Sequence, residues 1–469
     1  MGMVRAKHCA QRPARQVAPF HQTDALAQHL ETDALAQRLV VPPSQRWSED
    51  GGAALAPKGG AKRVGMARLR HVHRAGGEKA GLESRPLVIG LAVRTSDVRL
   101  TQAPPATPGV TQTSLSEALA LGPDAWDALR ARSTPPSPFM SWAWHRAWAN
   151  SAPPAEVDAT RVLLLHGSDS SLQALLPLRM CRVRFHRVWV RALNWAIGEI
   201  GCPDHLDVLA RPEADMRSFA AAIEAMPWDV IILDNLLEAA PNAERLCAAL
   251  AARGHAIRRS PLWSCPRLEL PRSWDAYLTT LSSNRRQILR RKERSLFRDH
   301  AATVVDYGED RLDEGWDHLL RLHEQRWDGA GGGAFRDPRQ ERLQRQFAGE
   351  MAKQKRLWLT TLDFDGQPAA AWYGFTSDDT VYFYQSGRAP RWEQESVGLV
   401  LMGLMIQRAI QQGYRAFDFL RGDDRYKHHW TSARRKTSET VIFRSGWRRL
   451  WLRALDAVSA LRQGVRRDA

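Results

Sequence analysis

Seventeen of the eighteen tryptophans lie at or beyond Trp126, and Trp47 stands alone before them. A side chain that large needs a core to bury it, so the folded body has to be built from the later residues. The first 110 residues run instead in Ala, Arg, Gln, Gly and Pro, a composition that predicts a low-complexity, disordered extension over 1–110. It holds a nine-residue tandem, TDALAQHLE at 23–31 followed by TDALAQRLV at 32–40. Leu26, Leu30, Leu35 and Leu39 of that tandem would stripe one short helix. The apolar PLVIGLAV at 86–93 reads as a single strand, and APPATPG at 103–109 as a linker.

The remainder of the 469 residues is long enough for two domains of ordinary size. With 44% apolar and 25% charged residues the chain has globular composition. Its net charge of +16 turns attention to anionic partners such as phosphates, nucleic acid or a membrane surface. Five cysteines without CxxC spacing fit neither a disulfide framework nor a cysteine-rich zinc site, and they predict a reducing cytoplasm. The start of the chain has no apolar signal core, and the longest apolar run, Val397 to Ile406, is about half of a membrane span.

From Trp126 onward the periodicity predicts two α/β units of similar build. The first has a helix at 141–148, strands at 161–166 and 172–180, a helix near 213–226, a strand at 228–234 and a helix at 241–252. The second has helices at 312–327 and 337–354, then strands at 356–363, 368–377 and 380–386. Asp365-Gly366 suits a type I′ hairpin between the first two of those strands. A helix at 396–412, stopped by Gly413, and a strand at 415–420 complete the unit. The repeated order of elements points to an internal duplication. The fold class expected is α/β, layered, with mixed sheets flanked by helices.

The chain contains no HExxH, GxSxG, GxxxxGK[ST] or GxGxxG after a strand, which removes zinc proteases, lipase-like hydrolases and P-loop NTPases. His428 and His429 are adjacent and cannot share a helical face, so no metal site is expected. The informative stretch is FDFLRGDDRYKHHW at 417–430. Strand alternation turns Asp418 inward or toward a cleft, and a buried carboxylate needs a partner. Arg421, Arg425 and Lys427 are near enough in sequence to supply it, through a turn at Gly422-Asp423. The result is either an ion-pair corner or part of a reactive site.

The stretches YQSG at 384–387, the helix entry at 396–398 and FDFLRGDDRYKHHW together resemble the GNAT-superfamily acyltransferases of the CelD/BcsL type, relatives of the Fem-type peptidyl transferases. SNRRQILRRKERSL at 283–296 and LHEQRWDGAGGGAF at 322–335 add to the likeness. The resemblance implies two tandem GNAT-like lobes, a degenerate one at 111–265 and a second at 266–445 that carries the active site. It implies an acyl-CoA donor, acetyl-CoA first among them, whose pyrophosphate is held over 381–400 by Arg388, Arg391, Ser396 and Gly398. The sequence has RWEQESVG at 391–398 where typical acetyl-CoA users carry Q/RxxGxG/A. Asp418 or Asp423 is the expected base, Lys427 or a backbone N–H the oxyanion donor, and Arg421 completes the site. The acceptor would be an amine or hydroxyl on a saccharide or small metabolite, as in exopolysaccharide or cell-envelope synthesis.

Two other readings stand beside this one. The helix over 284–298, with seven basic residues against Glu293, suits an aminoacyl-tRNA donor in a Fem-like transfer. A non-catalytic component of a polysaccharide assembly would use the first lobe and the C-terminal segment. That segment, 446–467, is a basic amphipathic helix whose stripe of Trp447, Leu450, Trp451 and Ala454 is expected to dock on the body or touch an anionic membrane, burying both tryptophans.

Overall fold

The computed structural model describes residues 93–94, 109–132, 136–185, 188–198, 200–327, 333–422, 424–446 and 450–454. The tandem at 23–40, most of the 1–110 extension and the glycine-rich 328–332 lie outside the described residues.

In chain order the first lobe contains β1 (Val93–Arg94), β2 (Val110–Ser114), α1 (Leu115–Ala120), α2 (Gly122–Ala131), α3 (Trp142–Ser151) and α4 (Pro154–Asp158). There follow β3 (Thr160–His166), β4 (Leu172–Phe185), β5 (Val188–Trp195), β6 (Leu209–Ala210), α5 (Met216–Ala225), β7 (Val230–Leu237) and α6 (Pro241–Ala252). A long strand, β8 (Ala256–Glu269), leads into the second lobe. That lobe has α7 (Trp274–Thr280), α8 (Ser283–Asp299), β9 (Ala302–Asp306), α9 (Leu312–Trp327) and α10 (Pro338–Lys353). It continues with β10 (Leu357–Phe364), β11 (Gln367–Ser377), β12 (Thr380–Arg388), α11 (Val397–Gln411), β13 (Ala416–Asp418) and β14 (Arg434–Phe443).

Many boundaries follow local chemistry. Ser114 caps α1 in a reciprocal box with Glu117, Ser282 caps α8 through the N–H of Arg285, and Asp337 caps α10 ahead of Pro338. Asp365 and Gly366 have φ of 49° and 74°, the two left-handed residues of the expected hairpin. Gly413, at φ 79°, ends α11 where the sequence placed its stop.

The strands join in one mixed sheet, ordered β2-β3-β4-β5-β7-β14-β8-β13-β12-β11-β10-β9, with β1 and β6 attached to β4. Each half repeats one motif: a three-stranded antiparallel meander, a helix, and a strand returning parallel to the last meander strand. Parallel pairing covers three residues in both, Ala192–Asn194 against Val230–Ile232 and Thr380–Tyr382 against Ala416–Asp418. The repeated order of elements is therefore present in the sheet itself. The expected boundary at 265/266 runs through β8, whose first part pairs with β14 and whose last three residues pair with β13. β14, late in sequence, sits between β7 and β8 of the first lobe.

The lobes share a core. Trp144 of α3 meets Phe347 of α10 edge-on with ring centroids 4.7 Å apart, and Phe139 packs on Phe375 and Tyr382. Leu343, Phe347, Met351 and Leu420 of the second lobe are buried in the first lobe's apolar cluster. Truncating one such aromatic costs about 3–5 kcal/mol, so the lobes are not independent bodies.

At the C-terminus, 450–454 is helical, but its buried residue is Leu452, packed with Cys181, Val183 and Phe443. Leu450 and Trp451 are 64% and 49% exposed. Docking on the body therefore does not bury Trp451: Leu452 packs inward from this turn, and the neighbouring Leu450 and Trp451 stay exposed. Trp447 and 455–467 lie outside the described residues. Among the described residues no helix is long and apolar enough to cross a membrane.

Candidate functional site

The parallel pairing of β12 and β13 stops at Tyr382 and Asp418, and beyond it the two strands part like jaws. On the β12 jaw the register slips: Gly374 opposes Phe383 and Tyr373 opposes Gln385, leaving Tyr384 as the extra residue of a bulge. Gly374 makes the slip possible, because a Cβ there would sit 2.1 Å from the carbonyl oxygen of Tyr382 and strike the Trp372 ring. The chain then passes Arg388 and a short 3-10 turn at Pro390–Trp392 and enters α11.

Ser396 precedes α11 in a left-handed conformation, φ 59°, and its hydroxyl makes no capping bond. Ser396 acts here through its backbone, reversing the chain into the helix. The first-turn N–H groups of Val397 and Gly398 have no acceptor within a helix and make the start of α11 an electropositive terminus. Arg388 lies along Gly398, its Cδ 3.8 Å from where a Cβ would stand, and pairs with Glu393 at 3.7 Å. Arg391 is exposed and stacked on Trp392 at 5.4 Å. Lys292 of α8 donates to the carbonyl of Gln394 in the same loop. The four residues expected to hold a diphosphate, Arg388, Arg391, Ser396 and Gly398, thus share one strand end and helix start.

On the other jaw Asp418 is wholly buried. Its Oδ1 accepts the N–H of Leu420 at 2.8 Å, and its Oδ2 faces Nε2 of His205 at 3.2 Å and Nη1 of Arg267 at 3.7 Å. Burial alone would push this carboxyl up, but His205, the Leu420 N–H and Arg267 outweigh it and hold it below the usual carboxylate range. Its two side-chain partners, His205 and Arg267, are ones that sequence proximity did not offer. Leu420 takes φ 56°, a conformation strained for a branched residue. That reversal sends its side chain into the first lobe's core and turns Arg421 onto Asp204.

Arg421, expected beside Asp418, instead gives its backbone N–H and Nε–H to Asp204, at 3.0 and 2.7 Å, and donates to the carbonyl of Pro203. Its guanidinium lies 5.8 Å from the Trp263 ring. Lys427, also expected beside Asp418, is buried with Nζ 2.7 Å from the Arg421 carbonyl, 3.4 Å from that of Gly422 and 3.2 Å from Asp424. Burial would lower its pKa, but the Asp424 charge overrides that and raises it. Three protons meeting three acceptors leave Lys427 none for an oxyanion. Asp423 lies outside the described residues. Among the described residues no cluster of His, Cys, Asp and Glu is arranged to hold a metal ion.

Besides Arg267 on β8, the missed participants come from one first-lobe loop between β5 and β6. Gly201 accepts a hydrogen bond from Tyr384 on the β12 jaw, while Pro203, Asp204 and His205 meet Arg421 and Asp418 on the β13 jaw. The loop carries φ of 82°, 44° and 56° at Gly201, Cys202 and His205. Backbone strain concentrated in a loop that bridges two jaws is a mark of a functional region. The polar GCPDHLD at 201–207 was its only signal in the sequence.

Residues 283–428 match the family model described as an acetyltransferase (GNAT) domain. That stretch runs from α8 to the Lys427 turn and contains both jaws, so this part of the chain is similar to a GNAT acetyltransferase domain. No curated protein matches the chain. Solved structures to which the chain is similar include FemX, at 9% identity over 71% of this chain and 96% of that one, TM-score 0.47. A tandem GNAT protein from the clavulanic acid biosynthesis pathway matches at 13% identity over 72% and 99%, TM-score 0.40. The C-terminal domain of a putative lysylphosphatidylglycerol synthetase from Agrobacterium fabrum matches at 11% over 70% and 92%, TM-score 0.42.

Proposed function

We propose that this chain moves an acyl group from acyl-CoA, acetyl-CoA first among the donors, to an amine or hydroxyl acceptor. The parting of β12 from β13 beside the uncapped start of α11 carries the reading. It offers a slot for a thioester with a cationic helix terminus at one end and a strand bulge along its side. The diphosphate would rest on the first N–H groups of α11, with Ser396 shaping the turn, Gly398 allowing close approach, and Arg388 and Arg391 adding charge. The acceptor's lone pair adds to the thioester carbonyl, its oxygen is stabilised by backbone N–H at the Tyr384 bulge, and the C–S bond breaks as CoA leaves with a proton. Asp418, Arg421 and Lys427 fix the opposite jaw rather than handle the proton.

The finer reading is an enzyme of the CelD/BcsL type, working in the cytoplasm on a saccharide or cell-envelope precursor. Incubation with a panel of CoA thioesters tests the core of it. Thiol release with an amine or sugar acceptor and a rise in melting temperature with at least one thioester are expected; saturating ligand at a hundred times its Kd stabilises by about 2.7 kcal/mol. No rise with any thioester would favour a non-catalytic binding component instead.

A second reading draws on α8, where Arg290, Arg291, Arg294 and Arg298 are exposed on one flank. Those cations suit an aminoacyl-tRNA donor, as in a Fem-like transfer. Transfer from charged tRNA that falls steeply between 50 and 200 mM salt, roughly by a factor of a thousand, would establish it over the first.

A further inference from the structure

His205, from the first lobe, reaches the buried carboxylate of the second-lobe jaw. It is 3% exposed, and its Nε2 stands 3.2 Å from Oδ2 of Asp418, off the line of a well-directed hydrogen bond. Among the described residues Nδ1 has no hydrogen-bond partner. The groups that surround the pair are Arg267 from β8, 3.7 Å from the same Oδ2, the Leu420 N–H on Oδ1, and the adjoining Asp204 and Arg421 pair. A left-handed backbone at His205, φ 56°, is costly for a residue with a Cβ, and what it gains is this placement.

We propose that His205 is a positioning residue of the transfer site, acting through Asp418. This rests on the acyltransferase reading above, and His205 works through the two carboxylate oxygens of Asp418. With His205 and Arg267 occupying Oδ2, Oδ1 is left to hold the Leu420 N–H, and that bond fixes the reversal which delivers Arg421 to Asp204. The imidazole thereby sets the shape of the β13 jaw from the other lobe. The first lobe, degenerate in sequence, is an integral wall of the site.

Two substitutions separate positioning from proton transfer and from mere packing. His205→Gln keeps an N–H at about the reach of Nε2 but cannot titrate. His205→Asn tolerates the left-handed backbone but falls short of Asp418, with His205→Ala as its substitute should the Asn protein not purify folded. In the full chain, His205→Asn should speed amide hydrogen exchange at 420–422 by about tenfold. It should lower kcat by roughly ten- to a hundredfold, as a displaced site does, with KM for the thioester unchanged. His205→Gln should stay within about threefold of wild type in both and keep its pH profile.

Wild-type exchange and kcat in His205→Asn overturn the proposal. So does a His205→Gln protein as impaired as Asn that has also lost one limb of the pH profile, since His205 would then take the proton itself. If wild type transfers no acyl group from any thioester, the functional reading falls, and the exchange comparison alone decides whether His205 sets the turn.

Discussion

Arg421 in the second lobe holds both carboxylate oxygens of Asp204 in the first, with its Nε–H at 2.7 Å and its backbone N–H at 3.0 Å. Asp204 is 1% exposed. This bidentate contact joins the mouth of one jaw to the neighbouring lobe, and removing one partner leaves the other charge buried and unpaired. Asp204→Ala should therefore lose about 3–5 kcal/mol of unfolding free energy in urea. Asp204→Ala combined with Arg421→Ala should lose less than the two singles summed. Strict additivity would show that the pair is not coupled.

Lys427→Met replaces a buried ammonium that binds two carbonyls and Asp424 with an apolar chain of similar length. Those acceptors would remain buried without donors, at a cost of about 1–3 kcal/mol each. A melting temperature lowered by several degrees is expected. An unshifted melt together with abolished transfer would instead assign Lys427 to the chemistry.

Asp207 caps the start of α6, accepting from the N–H groups of Ala243 at 2.7 Å and Asn242 at 3.3 Å. Burial pushes its carboxyl up to about 6. The folded state thus keeps a proton that the unfolded chain releases near pH 4, so this contribution to stability is full below about pH 4 and lost as pH rises through 6. Two units correspond to about 3 kcal/mol at most. The stability of Asp207→Asn relative to wild type should rise across that window, read by urea melts from pH 4 to 8. A flat difference would mean the carboxyl is not perturbed.

Gly374→Ala tests the bulge. Its new Cβ would meet the Tyr382 carbonyl oxygen at 2.1 Å, a backbone atom with no room to yield. A loss of about 3 kcal/mol or more is expected, with thioester turnover falling further than stability because the Tyr384 N–H moves. Turnover and melting temperature equal to wild type would show the bulge to be dispensable.

What the sequence made legible was local. The α11 helix with its Gly413 stop, the Asp365-Gly366 hairpin and the meander of β10, β11 and β12 all follow from side-chain periodicity and turn chemistry within a few residues. β8 and β14 escaped, because Pro261 and Pro266 interrupt one and Arg434, Arg435 and Lys436 open the other, so neither reads as a strand alone. Their pairing, Phe443 with Ala256 and Arg434 with Pro266, spans more of the chain than any window reads. The site divided the same way. Arg388, Arg391, Ser396 and Gly398 are close in sequence and in space, whereas Asp418 finds His205 and Arg267 on distant elements, and Arg421 and Lys427 turn to other partners.

The position of β14 bears on how the protein is made. Emerging from a ribosome, the strands β7 and β8 are complete by Glu269, yet the strand that belongs between them ends at Phe443. At about 5–20 residues per second of synthesis, the two wait roughly ten to thirty seconds with facing edges open. During that interval the nascent first lobe presents unpaired edges of the kind that recruit other strands. Nascent chains stalled before residue 434 should accordingly be held by chaperones and cut by proteases within 230–269, and that sensitivity should vanish once β14 has been released.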